Sequence, residues 1–420
     1  MTSKLVTDAH AITGEWRREL DLAHVLGEYL SAYASSKVRI DLVALGKASV
    51  EMAKSAEHVL GSTVQRRLII SDYEGAASTH DDPAVLSGDH PIAGPASLRA
   101  GEALVAFLEA EGHGDLTLFL VSGGASSLCA WPSPPLTLLD LRGLWDAALA
   151  TGADITTLNR MRAATSSIAG GAVLRHVRSA RSQSLIMVDN VVSGAEWVAS
   201  GLTYDYRPTR EQLEALLDDL ALSEAPLGDS MRAAYKYRSS LMAAPRRTQH
   251  VNTVVASPDL VHDLAVAEAR RRGYRVHDMG SHVQGDVTQV SAQWGTAVRA
   301  LENEVGPQCV LGVGEVTVRV IGEGSGGRCQ EFAWRMAREL ASLDRDAAFA
   351  ARATDGRDFL SGVAGAWVER ATRQRAEDLG IDWDEIAANH DSHRGLSELG
   401  QLFEGAHTGW NLCDLYVAVL

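Results

Sequence analysis

Five segments of the chain put residues able to do chemistry where an apolar run gives out. Lys47 follows Val38–Leu45 (VRIDLVAL), and Ser122-Gly123-Gly124-Ala125-Ser126-Ser127 follows Leu116–Val121 (LTLFLV). Asp189 closes Ser184–Val188 (SLIMV), Gly322–Gly327 leads into Arg328, and Asp355 follows Ala348–Ala353. Parallel sheets bind ligands beyond the carboxyl ends of their strands, so a site is expected there. A lysine after Gly46, at the start of a helical pattern, adds an ammonium to free backbone N–H groups and the helix dipole, which suits phosphate. A solvated turn lysine fits the same spacing. The Ser122–Ser127 loop is a second anion cradle. Gly123 and Gly124 let backbone approach a ligand, and Ser122 and Ser126 add hydroxyls. It lacks the ending of a Walker A loop, and a plain strand-to-helix turn is its alternative.

Asp189 stands where a carboxylate can hold Mg²⁺, accept a hydroxyl proton or cap the next helix. Gly322–Gly327 matches G-x-G-x-x-G formally, but GEVTVRVIGEG before it alternates like a hairpin strand. A dinucleotide site needs a buried first strand of a βαβ unit. The loop reads instead as one that presents Arg328, whose guanidinium suits phosphate bidentately. Asp355 and Asp358 flank Gly356 as candidate Mg²⁺ or substrate ligands. Asn389-His390-Asp391-Ser392-His393 reads as a surface turn, because zinc needs a fourth ligand that is not in view.

The elements that must position these residues alternate. Leu20–Ala34 reads as a helix, Val38–Leu45 and Arg67–Ser71 as strands, Leu98–Glu111 as a helix, Leu116–Val121 as a strand, Leu138–Ala150 as a helix and Ser184–Val188 as a strand. A second series follows: strand Thr253–Ala256, helix Val261–Arg272, strand Tyr274–Met279, strand Val310–Ile321, helix Gln330–Ala341, strand Ala348–Ala353, a helix from Ala364, and strand Leu415–Val419. The expectation is two α/β domains with mainly parallel sheets. Pro245-Arg246-Arg247-Thr248 looks like a connector. The domains are therefore drawn as 1–245, a Rossmann-like α/β domain, and 246–420, a second α/β domain.

Bulk properties narrow the function. At 420 residues, 46% hydrophobic and 22% charged, the chain is globular and long enough for two cores. Its net charge of −15 argues against nucleic acid and against an anionic membrane surface. Cys129, Cys309, Cys329 and Cys413 are scattered, without a C-x-x-C pair, as in a reducing compartment. No secretory leader or membrane-length apolar run is read, so a cytoplasmic protein is expected.

With these pieces assembled, the chain resembles the glycerate 2-kinases. The resemblance rests on LVALGKASVEMA near the start, GDHPI at Gly88–Ile92, LVSGGASSL at Leu120–Leu128, LNRMRAATSSIAGGAVLR at Leu158–Arg175 and VASGLT at Val198–Thr203. It continues in GEVTVRVIGEGSGGRCQEFAWRMA at Gly314–Ala337, ATDGRDFLSGVAGAWV at Ala353–Val368 and TGWNLCDLYV at Thr408–Val417. It implies Mg²⁺-assisted phosphoryl transfer from ATP to a hydroxyl of a small hydroxy acid, in a cleft between the domains. By position it makes Lys47, Asp189, Arg328 and Asp355 catalytic. It sets Gly46, Ser122, Gly123, Gly124, Ser126, Gly326 and Gly327 at the ATP phosphates, and His90, Asn159, Arg162, Trp197, Trp410 and Asn411 at the substrate. Asp189, Asp355 and Asp358 become the Mg²⁺ ligands, and a homodimer is a further expectation. The chain departs from the family pattern after Asp189, where an acidic pair is missing from Val191-Val192-Ser193-Gly194-Ala195. It departs again at Leu202, Trp410 and Ala93-Gly94-Pro95. The expected reaction is D-glycerate to 2-phosphoglycerate; a kinase of a bulkier sugar-like or secondary-metabolite hydroxyl, suggested by Trp197 and Trp410 in place of smaller side chains, and a non-catalytic ligand-binding homologue are the alternatives.

Overall fold

The computed structural model describes residues 3–77, 79, 82–189, 194–406 and 408–420. The segment 190–193, with Val191, Val192 and Ser193 of the altered stretch after Asp189, lies outside the described residues. The chain divides into two compact units, each with its own sheet.

The first unit runs from Leu22 to Val188 and continues to Val255. Its strands are β1 (Ile40–Leu45), β2 (Val64–Ser71), β3 (Val85–Ser87), β4 (Leu116–Val121), β5 (Arg181–Met187) and β6 (Gln249–Ala256). They lie in the order β3-β2-β1-β4-β5-β6, and the pairs β3/β2, β2/β1, β1/β4 and β4/β5 are parallel. This is a doubly wound order, with its switch point between β1 and β4. Every residue of β1 and β4 is buried, which is why both read as near-continuous apolar runs. The polar exceptions are Asp41 in β1, paired with Arg66 at 2.6 Å, and Thr117 in β4, whose hydroxyl shares a hydrogen bond with Ser179 at 2.7 Å.

In the second unit, β7 (Arg275–Asp278), β8 (Val283–Asp286), β9 (Gln308–Thr317), β10 (Ala348–Ala353), β11 (Val363–Glu369), β12 (Leu402–Glu404) and β13 (Asp414–Val419) form a mixed sheet. Its order is β12-β11-β10-β13-β9-β7, with β8 also on β9. The α/β architecture stands, but this sheet is not mainly parallel: β12/β11, β11/β10, β10/β13 and β13/β9 are all antiparallel. The helix expected from Ala364 is strand β11. Short apolar runs of this length do not distinguish the two periods, and pairing to β10 and β12 decides. β9 stops at Thr317; Val320 and Ile321 beyond it are exposed.

The border also differs from residue 245. β6 completes the first sheet, so that unit reaches Val255. The helix Lys4–Gly14 packs on β10 and β13, and the chain up to Asp21 belongs to the second unit. Local sequence cannot show this, because only tertiary burial assigns an amphipathic N-terminal helix to strands as far along the chain as β10 and β13. The second core centres on Trp294, Phe332, Phe349 and Tyr416, whose rings meet edge-on or tilted. Among the described residues no helix is long and apolar enough to cross a membrane.

Candidate functional site

The first unit builds its site at the switch point. Gly46 has φ +119°, a region that L side chains rarely adopt, and it lies against the Ser122 backbone. Its N–H donates to the Ile70 carbonyl at 3.1 Å, and the Lys47 N–H donates to the Gly123 carbonyl at 2.9 Å. The Ser122 hydroxyl accepts from the Ala48 N–H at 3.1 Å. The ends of β1 and β4 are thus laced together, and half-buried Lys47 stands at their junction. Ser122 is fully buried and serves this lacing; its hydroxyl is not offered to a ligand. Gly124 is left-handed (φ +81°), and a Cβ there would sit 3.2 Å from Lys47 and 3.3 Å from His90. The two side chains therefore flank one bare turn.

His90 is presented by GDHPI, whose Asp89 accepts from the Ala96 N–H at 2.8 Å and so caps the helix Pro95–Glu109. Although part of its residue surface meets solvent, the ring is held neutral, with its pKa down at about 4. Desolvation is the larger cause; the charges of Lys47 and Arg162 add to it, against Asp72. Arg162 and Asn159 come from the helix Ile155–Thr165. Burial pushes the Arg162 pKa down to about 10, and its guanidinium lies 5.1 Å from the Trp145 ring centroid. Asn159 is buried and accepts from the Ser200 hydroxyl at 3.0 Å, while Ser200 and Ser126 share a hydrogen bond at 2.7 Å.

Ser200 was not singled out from sequence, although it lies within VASGLT. Ala199, Ser200 and Gly201 have successive φ values of +55°, +52° and +70°. Two non-glycine residues in a row in the left-handed region cost about 1–2 kcal/mol each. Surrounding bonds hold them there: Gly170 N–H to the Ser200 carbonyl at 3.0 Å and Gly171 N–H to the Gly201 carbonyl at 2.8 Å. Arg238, also unmarked in the sequence, is 1% exposed and donates to the carbonyls of Ser166 (3.1 Å) and Gly170 (2.8 Å). It fixes the loop on which Ser200 rests.

The second unit carries the other charged set. Asp189 is half-buried; it accepts from the Asn411 side-chain amide at 3.2 Å, and the Cys413 thiol points to its carbonyl at 3.2 Å. Arg328 opens the helix Arg328–Ala341. It pairs with Glu315 and stands 3.4 Å from Asp414, whose charge is the main reason its pKa is raised. Glu315 and Asp414 offset the poor placement of a cation at a helix N-terminus. Neither was marked from sequence. Asp355 is half-buried and accepts from the Arg357 N–H at 2.8 Å.

Four expectations fall differently. Asp358 is buried, with its oxygens taken by the N–H groups of Cys329 (3.0 Å) and Gln330 (2.9 Å) and by the Gln330 amide. It caps the helix and has no free face for Mg²⁺. Gly326 and Gly327 are packing glycines: added Cβ atoms would strike Ser392 and Asp358. The Asn389–His393 segment is no surface turn. Asn389 and Asp391 accept from Glu323, Gly324 and Ser325, and hold the glycine loop in place. Trp410 is 5% exposed, and Trp197 packs edge-on against Tyr206 at 5.3 Å. Trp410 is thus a core residue, whereas half-buried Trp197 keeps part of its surface in solvent.

As a test of fit for Mg²⁺, no three His, Cys, Asp or Glu side chains cluster as a cage among the described residues. Mg²⁺ binds through one or two carboxylates with water and substrate phosphates. Asp189 and Asp355 both lie within electrostatic reach of Cys413.

Two family models match the chain. One is described as "Domain of unknown function (DUF4147)" and covers residues 8–235; the other, the MOFRL family, covers 308–414. The chain is 26% identical over 391 residues to the D-glycerate 2-kinase of Thermotoga maritima, covering 91% of each protein. It is 30% identical over 442 residues to the glycerate kinase of Bos taurus, covering 90% of this chain and 84% of that one. The solved structure of glycerate kinase from Thermotoga maritima matches with a TM-score of 0.87 at 24% identity, over 99% of both chains.

Proposed function

The chain belongs to the glycerate 2-kinase family and is a phosphotransferase acting on a hydroxyl group, and from that premise we propose that it moves the γ-phosphoryl group of ATP to the 2-hydroxyl of D-glycerate. The products are 2-phosphoglycerate and ADP. The supporting observation is the convergence of Lys47, His90 and Arg162 beside the bare Gly124 turn in a chain of net charge −15. Phosphoryl transfer asks a protein for positioning and for neutralisation of the transferred charge.

In this reading Lys47 and the Gly123–Ser127 turn take phosphate oxygens, and neutral His90 donates a hydrogen bond without adding charge. Arg328 neutralises the group in flight, exchanging part of its contact with Glu315 for phosphate. Asp189, oriented by Asn411, receives the proton of the attacking hydroxyl. Asp189 and Asp355 would hold Mg²⁺, which neutralises phosphate charge when it is bound. A cytoplasmic setting belongs to the same reading, in keeping with four free, buried cysteines. Burial of Trp410 removes one support for a bulkier acceptor, while half-buried Trp197 leaves the other in place.

The test is ADP release over a panel of hydroxy acids and polyols, with Lys47→Ala and Arg328→Ala as controls. D-glycerate should lead the panel, and each substitution should cut turnover by about 10³ or more in folded protein. Near wild-type turnover in folded Arg328→Ala would overturn the assignment.

A further inference from the structure

Arg328 has two acidic partners, and their surroundings set them apart. The Asp414 side chain is 3% exposed and stands 3.4 Å from the Arg328 Nε. Its charge is the main reason that the Arg328 pKa is raised. Asp414 opens β13 opposite Gly314 of β9 and is itself held in place. The Tyr416 hydroxyl lies 3.2 Å from its carboxylate and accepts from the Val316 N–H at 3.3 Å. The Tyr416 ring is fixed in turn against Trp294 and Phe332 of the second core. Glu315, by contrast, pairs with Nη1 of Arg328 where both side chains reach solvent, at 37% and 40% exposure. A solvated ion pair is worth little, whereas a buried carboxylate that loses its cation is costly. The Nη1 contact is therefore open to exchange, and the Nε contact is not.

We propose that Asp414 is a positioning residue that fixes the Arg328 guanidinium through Nε, and that Glu315 is an internal counter-anion that holds Nη1 until a phosphate oxygen displaces it. Arginine suits this division, because its planar fork presents separate N–H groups at fixed angles. The guanidinium keeps one aim whether or not phosphate is bound. Each phosphate that binds must displace the Glu315 carboxylate, which returns when the phosphate leaves. That the phosphate belongs to ATP rests on the kinase reading; the arrangement around Arg328 does not.

Calorimetric titration of the full chain with inorganic tripolyphosphate reads the counter-anion without turnover. Glu315→Gln should bind it about two- to fivefold more tightly than wild type, and the gain should vanish in the Arg328→Ala background. The side-chain Nε–H NMR signal of Arg328, identified by its loss in Arg328→Ala, reads the positioning. It should persist when tripolyphosphate binds and disappear into solvent exchange in Asp414→Asn. On turnover, Asp414→Asn should lower kcat by about 10²-fold, but by no more than about twofold in the Arg328→Ala background, with thermal melts confirming the fold. Tyr416→Phe keeps the core ring and removes the hydroxyl beside Asp414. It should broaden the same NMR signal and lower kcat by about two- to tenfold, and it decides the matter if Asp414→Asn does not fold. Unchanged or weaker tripolyphosphate binding in folded Glu315→Gln, or an Nε–H signal and kcat untouched by the substitutions at Asp414 and Tyr416, would overturn the proposal. A raised Mg²⁺ requirement in Glu315→Gln would make Glu315 a metal ligand and overturn it too. Binding and NMR results as expected in a protein that does not turn over D-glycerate would sink the kinase reading and leave this one standing.

Discussion

Gly46→Ala is the sharpest perturbation of the switch point. A Cβ at this residue would lie 2.5 Å from the Ser122 carbonyl oxygen and 2.7 Å from its carbon, with the Ser122 hydroxyl closer still. These are backbone atoms of β4's end and cannot swing aside as a flexible side chain can. The φ of +119° adds conformational strain of about 1–3 kcal/mol, and overpacking adds about 1–3 kcal/mol. The sum, about 2–6 kcal/mol, is a large share of a domain's usual stability of about 5–15 kcal/mol. Gly152→Ala is the control. It lies in the same unit with φ +66° and nothing within 4 Å, so only left-handed strain of about 1–2 kcal/mol applies. If Gly46→Ala folds, β1 and β4 must part, and Lys47 moves with them. A displacement near 1 Å at a positioned group costs about 10²-fold in rate. Thermal melts and ADP release on both variants read the two effects. Wild-type melting and turnover in Gly46→Ala would refute the view that close packing of β1 on β4 places Lys47.

Trp410→Ala should lose about 3–5 kcal/mol, as for a buried aromatic; an unchanged melt with altered acceptor preference would make Trp410 a substrate contact after all. Asp358→Ala should destabilise by about 0.5–2 kcal/mol through the lost cap and leave the Mg²⁺ requirement where it was; a shifted Mg²⁺ requirement in a metal titration would contradict the capping role. His10 sits between the Trp367 and Phe403 rings with Nε2 unpartnered, and its pKa is depressed to about 4, by burial first and by Arg352 second. Between pH 6.5 and 4 the unfolded chain takes a proton at His10 that the folded chain refuses. Stability therefore falls as pH drops through that window, by up to about 3 kcal/mol. His10→Phe should flatten the fall in denaturant melts across this range, and an unchanged slope would refute it.

What the sequence made legible follows from how local each cause is. The limits of β4 and β10 match their apolar runs because strands buried on both faces leave no polar alternation to blur them. β11 misled because AGAWVE has no period of its own, and its partners β10 and β12 lie elsewhere in the chain. Lys47 and the Gly124 turn were legible because strand ends announce themselves. Ser200 and Arg238 were not, since a left-handed serine and a buried arginine on three carbonyls have no spacing signature. Asp358 looked like a ligand because a carboxylate beside glycine serves capping and metal binding alike, and only the two backbone N–H partners separate these roles.

Phosphorus NMR of the product formed from ATP and D-glycerate tests the central claim most directly. The account predicts one new monoester, 2-phosphoglycerate, formed in step with ADP and abolished by Lys47→Ala in folded protein. Phosphorylation at the 3-hydroxyl, ADP release without a phosphorylated acid, or undiminished product from Lys47→Ala would contradict it.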